Sequence, residues 1–368
     1  MRNRIIFTIF TIGLLAFVFY FCFADLIFVQ KTDFISNVLR GEASQFISQE
    51  EKEIKPEKVE TTLLAVGDIM LSRHVGTKIR QAEDSQLPFQ KLKDKLNQAD
   101  ITFGNLESPF YDKGSPVTEG MIFKAEPDTV EGLVESGFDI VSLANNHFGN
   151  QGEKGMIYTF DHLQKNNVKF VGAGKDFEQA HDPMVLENKG VKFAFLAYST
   201  PAVTPASYAA AASRPGLNMM DIEQLKQDVV QAKERAEIVI ISMHAGTEYT
   251  NQPNQRQKDF AHTACDSGAS LVLGHHPHVV QITEQYNNCY IIYSLGNFVF
   301  DQMWSEETRE GIIAKCKFED KELKEVEFIP IKIEDYNQPR LAYDSESKEI
   351  LKRMNLDKTT FEFNQIVD

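Results

Sequence analysis

Past residue 60, short apolar runs alternate with longer stretches in which apolar side chains recur at helical spacing. The runs at 61–66, 101–103, 139–143, 192–198, 237–243, 270–273 and 290–293 predict strands. The intervening stretches 89–99, 129–136, 155–166, 222–236 and 257–267 predict helices. Such alternation implies an α/β domain with sheets covered by helices. Two late runs, 311–318 and 325–332, have no helix between them and predict a hairpin. The stretch 201–215, with its alanines, reads as a mobile insertion bordering a cleft.

The N-terminus follows a different pattern. Residues 5–24 carry no charge, and Arg2 and Arg4 precede them. Twenty apolar residues in a helix cover about 30 Å, the thickness of a bilayer core. The arginines then place residues 1–4 in the cytoplasm and the remaining chain outside, in the cell membrane as a single-pass protein. A buried core helix and a signal peptide cleaved after Ala24 are the alternatives. Residues 25–60 turn polar and read as a stalk, 61–335 as the main domain, and 336–368 as an extension packing on it.

Composition narrows the classes. With 38 Lys and Arg against 53 Asp and Glu, the formal charge of −15 offers no basic stripe for nucleic acid. Cys265, Cys289 and Cys316 lack metal-finger spacing, and their odd number predicts no disulfide framework.

Candidate chemistry falls just past the predicted strands, where α/β sheets bind ligands. Gly67-Asp68 follows the first strand, and Asn105 and Glu107 the second. Asn145-Asn146-His147 follows the third. Then come His244 with Glu248, the cluster His275, His276 and His278, and finally Asn297. Singly, Gly67-Asp68 and Asn145-Asn146-His147 also read as capped turns and His244 as a core histidine, whereas three histidines within four residues point to metal or catalysis. Together they make a mixed carboxylate, amide and imidazole set that suits Mn²⁺, Zn²⁺ or Fe²⁺ better than Ca²⁺.

The segments GDIMLSR, GNLESP, SLANNHFGNQG, HAGTEY, GHHPHVVQ and SLGNFVFDQ, in this order between residues 61 and 332, resemble the metallophosphoesterase superfamily. Within it, the chain resembles the CapA/PgsA family of poly-γ-glutamate capsule biosynthesis proteins. The resemblance implies a four-layer αββα sandwich preceded by one transmembrane helix. It also implies up to two divalent ions, with Asp68 on the first, Glu107 bridging, Asn146 and His244 on the second, and His276 and His278 shared between them. His147 takes the place of a general acid. Arg73 would clamp an anionic substrate, while Asn105, Asn145, Glu248, His275 and Asn297 would contact substrate or support the ligands.

Met70 stands where the superfamily usually carries a histidine, and Glu107 where it offers an aspartate. Fold and reaction are therefore separate expectations. The resemblance implies an extracytoplasmic component acting with membrane synthase subunits on poly-γ-glutamate. A cell-surface phosphoesterase and a non-catalytic, metal-dependent binder of acidic polymer are the alternatives. Arg73, Lys124 and the ions would offset repulsion between this acidic chain and the polymer.

Overall fold

The computed structural model describes residues 58–114 and 121–362. Residues 1–4, the anchor at 5–24 with its alternative cleavage point, and the stalk up to residue 57 lie outside them. Among the described residues no helix is long and apolar enough to cross a membrane.

Strands are numbered along the chain. The larger sheet holds β1 (Glu60–Ile69), β2 (Ile101–Leu106), β3 (Ile140–Ser142) and β4 (Lys169–Val171) on one side. On the other lie β14 (Glu310–Glu319), β15 (Glu322–Glu334) and β16 (Gln338–Leu341), in the order β16-β15-β14-β1-β2-β3-β4. The short strands β13 (Asn297–Val299) and β17 (Thr360–Glu362) pair with β1 and β15. The smaller sheet runs β11-β12-β10-β9-β7-β6, from Thr283–Tyr286, Cys289–Ile292, Leu271–His275, Ile238–His244, Val191–Ser199 and Met184–Asn188 respectively. A two-stranded ribbon joins β5 (Ala173–Gly174) to β8 (Gly216–Leu217).

Three apolar clusters separate four layers. Leu63, Ala65, Phe103 and Ile140 from the larger sheet meet Phe193, Phe195, Ile240 and Leu273 from the smaller one, so the sheets pack face to face. The outer face of the larger sheet, with Val66, Leu106 and Val141, is covered by Ile79, Phe89, Leu133 and Phe160. The outer face of the smaller sheet, with Leu196, Ile241 and Val272, is covered by the helices Ile222–Arg235 and Gln255–Ser267 through Leu225, Val229, Phe260 and Ala264. The molecule is thus a mixed α/β sandwich. Parallel strands buried on both faces explain why β9 and β10 read as nearly unbroken apolar runs.

The predicted hairpin forms, with β14 antiparallel to β15. The predicted helix at 89–99 shrinks to Lys93–Leu96, because turns bonded at three-residue spacing surround it. Several elements had no clear pattern: the helix Arg73–Ala82 directly after the Asp68 motif, the edge strands β6 and β11, and the C-terminal helix Asp344–Arg353. Beyond residue 335, β16 and β17 extend the larger sheet through β15.

One expectation about the cysteines is overturned. Cys265, near the end of its helix, and Cys289, at the start of β12, form a disulfide across 24 positions, with Cα atoms 5.5 Å apart. Cys316 remains a buried free thiol. The odd count concealed the pair because residues distant in sequence meet only once β10 and β12 align in parallel.

Candidate metal centre

The carboxyl ends of the parallel strands of both sheets converge. In the larger sheet Asp68 is level with Asn105 on β2 and with Asn297 on β13. In the smaller sheet His244 is level with His275. The backbone N–H of His276 crosses between the sheets and donates to Asp68 Oδ2 at 3.2 Å. The motif glycines permit this approach. A Cβ on Gly67 would lie 1.9 Å from the Gly296 oxygen, and one on Gly274 would lie 1.9 Å from the Tyr293 oxygen. They serve close backbone contact, whereas Gly246 and Gly296 supply positive φ, at +134° and +70°.

Asp68, Glu107, His244, His275, His276 and Asn297 are all fully buried, and His278 nearly so. Asp68, Glu107 and His244 present donor atoms within 4.8 Å of one another, and so do Glu107, His276 and His278. The two groups share Glu107. His244 therefore falls with Asp68, while His276 and His278 fall together. Asn146 joins from beside the first group, its Oδ1 lying 2.9 Å from His244 Nε2.

Glu107 is the feature that most needs a cation. Neither carboxylate oxygen has a hydrogen-bond partner, although both are buried. Its closest ring nitrogens are His244 Nε2 at 3.8 Å and His147 Nε2 at 4.0 Å. Burial, then the charges of Asp68 and Glu248, push its carboxyl well above the usual range. Both ring nitrogens of His276 are likewise unpartnered, and burial followed by the nearby His278 lowers that imidazole to about 3. An orphaned carboxylate among neutral, unpartnered imidazoles is a donor set that fits a divalent cation.

The surrounding amides fix the ring orientations. Asn297 donates from Nδ2 to the His278 and Thr308 carbonyls and to Gln302 Oε1, so its Oδ1 accepts from His278 Nδ1 at 3.0 Å. That leaves His278 Nε2 as the lone-pair nitrogen, an arrangement common in metal sites. Asn145 donates to the Leu106 carbonyl and to Asn105 Oδ1. Asn105 in turn donates to Asp68 Oδ1 at 2.8 Å and lies 3.3 Å from His244 Nδ1. His275 places Nδ1 3.3 Å from Asp68 Oδ1. Burial alone would raise Asp68, but hydrogen bonds and charge from His275 and His278 outweigh it and hold the carboxyl well below its ordinary value. Burial, then His276, drives His244 well below the usual imidazole range.

His147 stacks on Phe123 at 3.8 Å, and its Nδ1 lies 3.0 Å from Asn150 Oδ1. That oxygen also accepts from the Phe123 N–H, so Nδ1 carries the proton and Nε2 is free. Burial lowers His147 to about 4. Arg73 sits over Phe123 at 5.7 Å with its Nε 3.3 Å from Asp301 Oδ2. Glu248 is exposed at the rim, and Lys124 pairs with Glu126 at 3.5 Å. The stretch 201–215 borders the His147 side, where the Tyr208 hydroxyl accepts from Asn150 Nδ2 at 3.4 Å.

Arg73, Tyr249, His276 and His278 have positive φ, from +51° to +97°. Left-handed backbone at non-glycine residues costs about 1–3 kcal/mol each and gathers at functional sites. Sequence reasoning passed over Asn150, Phe123 and Asp301. Asn150 and Asp301 both lie inside motifs already singled out, and their spacing from His147 and Asn297 was the available signal.

The profile of the family described as "Bacterial capsule synthesis protein PGA_cap" matches residues 62–302, a span that contains every one of these groups. The chain belongs to this family. Within the PGA_cap family, the PGA biosynthesis protein CapA of Bacillus subtilis (strain 168) is 33% identical over 296 residues, covering 79% of this chain and 77% of that one. The capsule biosynthesis protein CapA of Bacillus anthracis is 32% identical over 287 residues, covering 76% and 69%. Among solved structures, a putative 5'-nucleotidase from Staphylococcus aureus is similar with a TM-score of 0.47 and 14% identity, over 81% of this PGA_cap chain and 58% of that one.

Proposed function

We propose that this chain is a membrane-anchored, extracytoplasmic component of poly-γ-glutamate capsule biosynthesis or export, acting beside membrane synthase subunits. The observation that carries the reading is the family match over residues 62–302, supported by two relatives named for PGA and capsule biosynthesis. The uncharged run at 5–24 behind Arg2 and Arg4 supports anchoring. The Cys265–Cys289 disulfide supports an oxidising compartment outside the cytoplasm.

In this reading the centre holds up to two ions of the Mn²⁺, Zn²⁺ or Fe²⁺ class in a metallophosphoesterase-like fold. Asp68, Glu107 and His244 with Asn146 would hold one ion, and Glu107, His276 and His278 the other. Such ions supply Lewis acidity toward a phosphoryl or acyl oxygen and make nearby water a stronger acid. The remaining residues have roles of their own. His147, neutral at physiological pH with Nε2 free, is set to accept a proton first and to return it to a leaving group afterwards. Arg73 offers a partly exposed guanidinium to an anionic substrate, while Asp301 fixes its direction. The packed interior around Phe123 and Phe300 keeps bulk water from the imidazoles.

A second reading, a cell-surface phosphoesterase, draws support from the unpartnered Glu107 next to His147. One experiment separates them. Cells carrying a deletion, the wild-type gene or His276→Ala are compared for surface polymer, and the purified full chain is assayed on phosphomonoesters, phosphodiesters and γ-glutamyl substrates with Mn²⁺. Polymer lost in both mutants supports the capsule role. Unchanged polymer in the deletion, with phosphoester turnover in vitro, would transfer the assignment to the second reading. Fractionation of the same cells tests the anchor, which a shortened soluble form starting after Ala24 would refute.

A further inference from the structure

The chain contains a single tryptophan, Trp304, and it is 59% exposed. Its one ring contact among the described residues is Tyr249, at 5.8 Å with planes 78° apart, and no hydrogen bond holds the indole. Tyr249 is itself 42% exposed and lies 6.3 Å from the ring of His278. A line of rings thus leads from the metal centre to the surface.

The ledge stands on fixed supports. The Tyr249 N–H donates to the Pro277 carbonyl at 2.9 Å, between His276 and His278. The Tyr249 hydroxyl accepts from Gln302 Nε2 at 3.5 Å. Gln302 is held in turn by Asn297 and by the Thr308 hydroxyl. Three residues before Trp304, the buried Asp301 pairs with Arg73 and accepts from the His74 N–H at 3.1 Å. Tyr249 has left-handed backbone, φ +61°, a conformation that costs a non-glycine residue about 1–3 kcal/mol and gathers at functional sites.

Resting on the polymer reading above, we propose that Tyr249 and Trp304 form the docking ledge for an anionic polyamide at the metal centre, with the amide and methylene backbone stacked on the indole. The reason lies in charge. A chain at −15 repels a polycarboxylate, Glu248 adds a carboxylate to the same rim, and the partly exposed Arg73, with Lys124 paired to Glu126, offsets only part of this. Flat aromatic surface supplies attraction that does not depend on charge and is not screened by salt. Each γ-linked unit presents a planar amide and two methylenes, which suits stacking on an exposed indole.

The sole tryptophan makes the test direct. The full chain in detergent, loaded with Mn²⁺, is titrated with a poly-γ-glutamate oligomer while tryptophan emission and heat are recorded. The expected result is a saturating emission change with the same midpoint as the heat. Trp304→Ala should weaken binding about threefold to tenfold, Trp304→Phe should restore most of it, and metal content should not change. The Trp304-dependent factor should also persist as salt is raised. Heat-detected binding with unmoved emission, and with Trp304→Ala at wild-type affinity, overturns the ledge and leaves the polymer reading standing. No binding by either signal overturns both.

Discussion

Replacing Glu107 with glutamine removes one charge and almost no volume, which isolates the carboxylate's role. Both oxygens of Glu107 are buried and unpartnered, and burial with the charges of Asp68 and Glu248 pushes its carboxyl well above the usual range. That shift favours the neutral form of the side chain in the metal-free wild type. Glu107→Gln should then unfold within about 1 kcal/mol of it, since one unsatisfied polar group replaces another. With metal the two proteins part. At 100 times its dissociation constant an ion stabilises the native state by about 2.7 kcal/mol. At about 2–4 °C per kcal/mol, that raises the wild-type midpoint by roughly 5–11 °C. Glu107 belongs to both donor groups, so the variant should lose most of that rise. Calorimetry with and without Mn²⁺, and metal content by elemental analysis, read both quantities. A variant that keeps the wild-type shift and metal content would refute the claim that Glu107 anchors the centre.

Four further outcomes follow from the packing and its buried groups. Gly274→Ala would drive a Cβ to 1.9 Å from a backbone oxygen and should cost at least about 3 kcal/mol by denaturant titration. Gly190→Ala, with φ +84° but open space around it, should cost about 1–2 kcal/mol. Cys289→Ser opens the 24-residue loop and should lose about 2–4 kcal/mol, while dithiothreitol should lower the wild type to the same level and leave the variant unmoved. Burial pushes Glu310 up to about 7 against the pull of Arg353, so the native state binds more protons than the unfolded chain between its ordinary carboxylate value and 7. Stability from this group is then present at low pH and declines as pH rises toward 7, and Glu310→Gln should flatten that slope in melts from pH 4 to 8.

The fold was legible wherever a segment is buried on both faces. Strands β1, β7, β9 and β10 appear in the sequence as apolar runs because the sandwich leaves them no solvent face. Edge strands were harder. β11 is half-buried along its whole length and β6 has no fully buried position, so neither carries a strong period. The helix Arg73–Ala82 was obscured by Gly76 in its interior and by the chemistry of the motif before it. Site residues were visible because they follow strands, but their grouping was not. The meeting of His244 with Asp68, and of Cys265 with Cys289, depends on which strands lie side by side across two sheets. No spacing along the chain encodes that register.

The two buried carboxylates are shifted in opposite directions because their partners differ, and this bears on how the centre loads. Asp68 has His275, His278, Asn105 and the His276 N–H around it and stays ionised. Glu107 has none of these partners, and burial with the charges of Asp68 and Glu248 raises it. A divalent ion held by both residues would favour the ionised form of Glu107 and displace its proton. Below the raised value of Glu107, metal and proton compete, and apparent affinity should climb by about tenfold for each unit of pH. His276 and His147 contribute nothing to this slope above pH 5, because they are lowered to about 3 and about 4 and are already neutral. Mn²⁺ titrations from pH 6 to 8 in lightly buffered solution would report both the affinity and the proton released per ion. Affinity that does not change with pH, and no proton release, would mean that Glu107 is ionised before the metal arrives and that some other group neutralises it.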